Sequence, residues 1–244
     1  MTRSRGRLLI GTSGWIYKHW KGNFYPPDLP ASAYLRYYAE HFPTVEINYS
    51  FYKLPAREDF ETWRDETPDG FLFAVKASRF LTHLKKLRDP DEPLHRLFDR
   101  LTGLGPKLGP VLFQLPPRWN KNLPRLVSFL GKLPPGRRYA FEFRDPSWLA
   151  DDVYAALANR HTALVISDYR SLPLVQRVTT DFTYIRLHGG RLGIGYSTTE
   201  LESWANRLRQ YSDDGIDVYV YFNNDPEGHA PRDAATLTQL LASQ

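Results

Sequence analysis

Residues 139–144 alternate along the chain, with Phe141 and Phe143 on one face and Ala140, Glu142 and Arg144 on the other. Asp145, Pro146 and Ser147 then supply helix-start chemistry, two N-cap residue types flanking a proline suited to a first turn. This switch from strand to helix recurs. The pattern predicts strands at 8–13, 44–49, 71–77, 110–115, 139–144, 162–168, 182–188 and 216–222. It predicts helices at 32–40, 57–65, 92–102, 122–130, 148–159, 199–211 and 232–241. Residues 79–88 read as a basic connection.

Eight strands alternating with seven helices point to an α/β fold, a closed eight-stranded parallel β/α barrel of the TIM type. The odd step is the crossover between strands six and seven. Residues 169–181 contain a proline and β-branched residues but no amphipathic stripe, so this crossover is expected to lack a full helix. No composition shift marks a boundary, and residues 1–244 read as a single barrel domain. A doubly wound open sheet is disfavoured because the first βα turn has no G-x-G-x-x-G fingerprint.

Composition changes little. Of the 244 residues, 42 % are hydrophobic and 24 % charged, which suits a globular protein. Cysteine is absent, which removes disulfides, thiolate metal sites and cysteine nucleophiles, and fits a reducing compartment. The net charge of +5 and pI of about 9.3 bias the chain toward anionic partners. The basic start precedes too short an apolar run for a signal peptide, and no stretch has the length of a membrane span. A cytoplasmic protein without a membrane partner is expected.

Candidate chemistry gathers at the strand ends. In a barrel, alternate side chains face the lumen, and those near the C-terminal rim form the site. Aligned by their polar positions, the strands contribute Glu46 and Asn48, Lys76, Gln114, Glu142 and Arg144, Asp168, Arg186 and His188, and Asn223. Any one pair reads as a structural ion pair. Seven strands carrying such residues argue for a site, because each buried ion forfeits several kcal/mol of hydration, on the order of 3 or more. Trp15, Tyr17, Trp20, Phe51, Tyr52, Trp148 and Tyr196 add an aromatic rim, with roofing the barrel as the alternative role for Trp20 and Trp148. The loop from Gly189, Gly190 and Arg191 to Gly195 offers backbone amides beside Arg186, a combination suited to an anion. Glu46, Glu142, Asp168, His188, His83 and His229 are metal-ligand types without a metal-binding spacing, and nearby cations compete for the carboxylates. No metal site and no cofactor are therefore expected, a divalent metal being the disfavoured alternative.

Several segments together resemble the YecE-like family, the uncharacterised domain-of-unknown-function family seventy-two. They are Gly11-Thr-Ser-Gly-Trp15, Val45-Glu-Ile-Asn-Tyr-Ser-Phe-Tyr52, Phe73-Ala-Val-Lys-Ala-Ser78 with Thr82-His83, and Leu112-Phe-Gln-Leu-Pro-Pro117. Phe141-Glu-Phe-Arg144 with Ser147-Trp148, Arg186-Leu-His-Gly189 and Tyr221-Phe-Asn-Asn224 complete the set. The resemblance spans almost the whole chain and implies the barrel already argued. It brings no settled reaction.

The leading expectation is an enzyme doing acid–base chemistry on a small anionic substrate, phosphorylated or carboxylated and sugar-like. Glu46 and Glu142 are the expected acid and base, with Lys76 as an electrophilic group or Schiff-base amine. Arg144 and Arg186 would hold the anion, while Trp15, Asn48, Tyr52, Gln114, Asp168, His188 and Asn223 orient the substrate. Glu46, Lys76, Glu142, Arg144 and Arg186 are expected to share one pocket. The alternatives are a nucleic-acid-binding or phosphodiester-processing barrel and a metabolite-binding module without turnover.

Overall fold

The structure is a computed structural model that describes residues 4–190 and 193–243. Its eight strands form a closed parallel barrel in chain order. They are β1 (Leu8–Ser13), β2 (Thr44–Ile47), β3 (Leu72–Lys76), β4 (Leu108–Gln114), β5 (Tyr139–Glu142), β6 (Thr162–Ser167), β7 (Phe182–Leu187) and β8 (Asp217–Phe222). The helices are α1 (Tyr34–His41), α2 (Tyr49–Tyr52), α3 (Arg57–Asp65), α4 (Asp91–Leu101), α5 (Leu123–Leu130), α6 (Asp151–Ala158), α7 (Thr198–Asp213) and α8 (His229–Ala242). Among the described residues no helix is long and apolar enough to cross a membrane.

By internal packing the chain divides into two compact units. The first comprises the described residues of 1–46, 166–174 and 181–244, and the second comprises 47–165 and 175–180. In the first, β7 pairs with β8, β8 with β1 and β1 with β2, with Arg186 beside Tyr221 and Ser13 beside Glu46. In the second, β3 pairs with β4, β4 with β5 and β5 with β6, with Gln114 beside Glu142. The helices bury one stripe each. In α4, Leu94, Leu97, Phe98 and Leu101 recur at helical spacing and are all buried.

The crossover between β6 and β7 contains no helix, as its sequence predicts. Part of it does a ladder's work with a side chain: Thr179 Oγ1 donates to Thr162 O (2.7 Å) and accepts from Leu164 N (2.9 Å). Elsewhere the elements depart from the sequence pattern for local reasons. β2 ends at Ile47, two residues early, because Asn48 turns into helical backbone and Ser50 Oγ caps the carbonyls of Ile47 (3.1 Å) and Lys76 (2.7 Å). The expected 79–88 connection instead contains a π-helical turn, Phe80–Leu84, closed by Lys85 N on Phe80 O (2.8 Å). The helix expected at 148–159 is split. A 3₁₀ turn at Pro146–Trp148, capped by Asp145, precedes α6. The N-cap of α7 is Ser197 rather than Thr199, in a capping box with Glu200.

Gly11 shows how tightly β1 and β2 approach. A Cβ there would lie 2.0 Å from the Thr44 carbonyl oxygen, a contact no side chain tolerates. Gly131, at the end of α5, has helical backbone (φ −66°, ψ −18°) and no neighbour closer than 3.4 Å to an added Cβ. Gly11→Ala should therefore destabilise the fold by about 1–3 kcal/mol or more, as overpacking does. Gly131→Ala should stabilise it by about 0.4–1 kcal/mol through the unfolded chain. Urea unfolding of the two variants checks both signs.

Candidate functional site

The first unit is organised by a carboxylate and a guanidinium. Glu46 lies on β2 and Arg186 on β7, with β8 and β1 between their strands, so the two side chains meet across the lumen. Arg186 donates Nε to Glu46 Oε2 (3.0 Å) and Nη2 to Oε1 (2.9 Å), a two-point fork. Tyr184 Oη donates to Oε2 (2.6 Å) and Ser13 Oγ to Oε1 (2.7 Å). Glu46 is 0 % exposed and Arg186 1 %. These four donors match the acceptor capacity of one carboxylate. Arg186 Nη2 also donates to Asn223 Oδ1 (3.0 Å), which places Asn223 in the same cluster. Burial, reinforced by the Glu46 charge, pushes the Tyr184 hydroxyl far above its ordinary value and keeps it a donor. Thr44 Oγ1 and Tyr221 Oη share a further buried hydrogen bond of 2.8 Å.

The loop after β7 is governed by Asp168. Its Oδ1 accepts from the backbone N–H of His188 (2.6 Å), and its Oδ2 accepts from the N–H of Gly190 (3.3 Å) and the Tyr196 hydroxyl. Gly189 N donates to Tyr196 Oη (2.9 Å). Burial would raise the Asp168 carboxyl, but hydrogen bonds from His188 and Tyr196 outweigh it and hold the group below the usual carboxylate range. The expected anion-binding role of Gly189 and Gly190 is corrected here. Their amides are already committed, that of Gly190 to the Asp168 carboxylate and that of Gly189 to the Tyr196 hydroxyl. Arg186, committed to Glu46, is likewise no open anion receptor, and Arg191 lies outside the described residues. His188 Nδ1 is 3.4 Å from both Asp168 Oδ1 and Ser167 Oγ, too long for strong bonds. Trp15 is buried, and its backbone carbonyl takes the Tyr25 hydroxyl (2.6 Å).

In the second unit, aromatic packing fixes which way β4 and β5 face. Phe113 and Phe141 pack on Phe129 of α5, with ring centroids 5.2 and 6.0 Å away. Phe143 stacks on Trp148 at 5.0 Å. The opposite parity, Gln114, Glu142 and Arg144, therefore faces away from the helices and into the lumen. Gln114 Nε2 donates to Glu142 Oε2 (2.8 Å), and Arg144 Nη2 pairs with Glu142 Oε1. Glu142 is 1 % exposed, while the Arg144 side chain is 10 % exposed.

Lys76, at the end of β3, holds its ammonium 4.4 Å from the centre of the Phe51 ring. His83, from the π-helical turn, meets the same ring edge-on at 5.0 Å. Thr82 Oγ1 donates to Ser78 O (3.0 Å) and lies 2.9 Å from His83 Nδ1. A hydroxyl has one proton to give, so with that proton on the carbonyl Nδ1 is the donor toward Thr82 and Nε2 carries the lone pair. Burial, then the charges of Lys76 and Arg79, lower the His83 imidazole from 6.5 to about 4. Asn48 Oδ1 is buried without a donor among the described residues. Tyr52 is 79 % exposed on α2. Among the described residues no three histidine or carboxylate side chains are placed to hold a metal ion.

Trp20 and Trp148 are fully buried and donate to the backbone carbonyls of Asp225 (3.3 Å) and Trp119 (2.6 Å), so both are packed into the interior. The sequence pattern assigns no role to Ser13 or Tyr184, and it presents His83 only as a metal-ligand type. Tyr184 shares the parity of Arg186, a signal that a search for charged residues overlooks. His83 sits in the Thr82-His83 segment, but nothing in the pattern predicts the π-helical turn that aims it.

The sequence profile described as "Protein of unknown function DUF72" matches residues 9–244. The UPF0759 protein YunF of Bacillus subtilis (strain 168) is 30 % identical, over 96 % of this chain and 94 % of its own. The UPF0759 protein YecE of Escherichia coli (strain K12) is 35 % identical over 52 % of this chain and 47 % of its own. The crystal structure of a DUF72 family protein from Thermotoga maritima superposes with a TM-score of 0.88 at 28 % identity, covering 97 % of this chain and all of that one.

Breaking one side of the Glu46–Arg186 fork should cost about 3–5 kcal/mol, because a buried charge is left without its partner. Arg186→Met and Glu46→Gln should each do so. The double variant should be less destabilised than the sum, and chemical denaturation of all four proteins measures the difference. Asp168 gives a separate pH signature. Its folded value lies below the ordinary carboxylate value, so its stabilisation is present above about pH 3.9 and is lost as pH falls through the lower folded value. Asp168→Asn should remove that acid dependence and speed hydrogen exchange at the His188 and Gly190 amides.

Proposed function

This chain belongs to the DUF72 family, and from its own geometry we propose that it is an enzyme doing acid–base chemistry on a small phosphorylated or carboxylated substrate. The observation that carries the reading is the contrast between two buried glutamates. Glu46 is saturated by four donors and anchors the fold. Glu142 is held differently: Gln114 Nε2 donates to one oxygen and Arg144 pairs with the other, at the end of β5, where the Arg144 side chain still reaches the surface. A carboxylate held at its sides by a guanidinium and an amide is oriented for proton transfer. The acid–base pair is therefore reassigned from Glu46 and Glu142 to Glu142 and His83.

His83 suits the role. Its lowered value leaves the imidazole neutral at physiological pH, with Nε2 available to take a proton. Lys76 supplies the positive charge beside it, and the Phe51 face keeps that ammonium in place. Lys76 and Arg144 are the groups we assign to the substrate anion and to negative charge developing beside it. The reaction class these groups support is proton abstraction next to a carbonyl or phosphoryl group. Asn48, whose buried Oδ1 lacks a donor among the described residues, suits a substrate hydroxyl.

A panel of phosphorylated and carboxylated metabolites, each at constant ionic strength, tests the reading by thermal melting and by NMR-detected turnover. An accepted substrate at a hundredfold excess over its dissociation constant should stabilise the fold by about 2.7 kcal/mol. Lys76→Met should abolish that gain. Glu142→Gln and His83→Gln should keep it while losing about 10²- to 10⁴-fold in turnover. The acid limb of the rate profile should fall near pH 4, where His83 protonates, instead of near its ordinary 6.5. An unchanged melting temperature across the panel would sink the proposal. Binding without turnover would leave a metabolite-binding module.

A further inference from the structure

A groove of about 330 Å³ lies in the second unit, lined by Phe51 and Tyr52 of α2, Ser78 and Phe80 after β3, and Arg96 and Arg100 of α4. Its apolar surface is left open: Tyr52 is 79 % exposed and Phe80 43 %. Its charge is one-sided. No acidic residue is among the side chains that line it. Arg96 and Arg100 stand one helical turn apart, an arrangement that is repulsive unless an anion lies between them. Among the described residues Arg96 pairs with the exposed Glu92 (3.3 Å) one turn back. Arg100 is half-buried and has no hydrogen-bond or ion-pair partner among the described residues. The Ser78 hydroxyl accepts from Leu81 N (3.4 Å) and gives its own proton to no described residue.

An Arg100 guanidinium without a described acceptor, the Arg96 guanidinium held by an exposed carboxylate, and the Ser78 hydroxyl call for an anion, and flat walls of Phe51, Tyr52 and Phe80 call for a ring. The volume suits one ring with one charged group, at the lower end of ligand-site sizes. We propose that this groove is a second ligand site, for an aromatic ring bearing a phosphate or carboxylate, and that Phe51 couples it to Lys76 and His83. Phe51 packs edge-on against Tyr52 (5.1 Å) in the groove, while the same ring carries the Lys76 ammonium (4.4 Å) and the His83 imidazole (5.0 Å). A ligand seated against Tyr52 therefore touches the ring on which both groups rest. Binding in the groove stands whatever reaction the strand ends perform.

Calorimetric titration of the full chain with phenyl phosphate, benzoate, cyclohexanecarboxylate and inorganic phosphate tests the site. Phenyl phosphate should bind at least about tenfold more tightly than inorganic phosphate, and benzoate about fivefold more tightly than its saturated analogue. Arg100→Met should weaken both aromatic probes about tenfold or more while melting with the wild type. Tyr52→Ala, at an exposed position, should erase the preference for the aromatic ring. Lys76→Met should leave groove binding intact, and the His83 imidazole resonances should move on saturation. Equal affinity for phenyl and inorganic phosphate, or loss of binding in Lys76→Met but not in Arg100→Met, would overturn the site. Unmoved His83 resonances at saturation would overturn the coupling.

Discussion

One pair of ions spans the lumen of the first unit, and much of that unit is arranged to keep it satisfied. Taking a carboxylate and a guanidinium out of water costs several kcal/mol each, roughly 3 or more after relaxation, so the fork alone would not hold the pair there. Tyr184, Ser13 and Asn223 complete it, from β7, the end of β1 and the residue after β8. Strand register follows from this. A one-residue slip of β7 would turn Tyr184 and Arg186 away from Glu46 together and leave three buried polar groups without partners. The ion pair thus works as a register device, and its saturation is why we place the chemistry elsewhere.

The loop after β7 repeats the theme. A glycine-rich turn at the end of a barrel strand ordinarily invites a bound phosphate. Here Asp168 fills that position from within the chain and fastens His188, Gly190 and Tyr196 at once. An internal carboxylate has no association entropy to lose, so it holds these amides against a weakly bound external anion. The protein's net positive charge is consequently a poor guide to where a ligand binds. Arg186 is neutralised, while Arg100 is not.

The barrel is legible in the sequence because short strand-like segments and amphipathic helical stretches alternate along the chain. Strand parity alone puts Glu46 with Arg186 and Gln114 with Glu142. What it leaves out depends on three-dimensional packing. Ser50 diverts the end of β2 by bonding a carbonyl on β3, a partner that lies 26 residues away. The π-helical turn that brings His83 to Phe51 follows from one i→i+5 hydrogen bond and carries no sequence period. Asp168 and the glycines are visible as residues, but only geometry tells an amide that awaits an anion from one that already has it.

The missing helix between β6 and β7 has a consequence for how this barrel can change. A helical crossover ties the length of the connection to the length of the helix that covers the sheet. Here the connection is irregular, and Thr179 fastens its later part to β6. Closing a flexible loop grows costlier only by about 0.6 kcal/mol for each doubling of its length. Residues 169–174, ahead of that fastening, are therefore where an insertion, even a whole module spliced in by recombination, enters this architecture at least energetic expense.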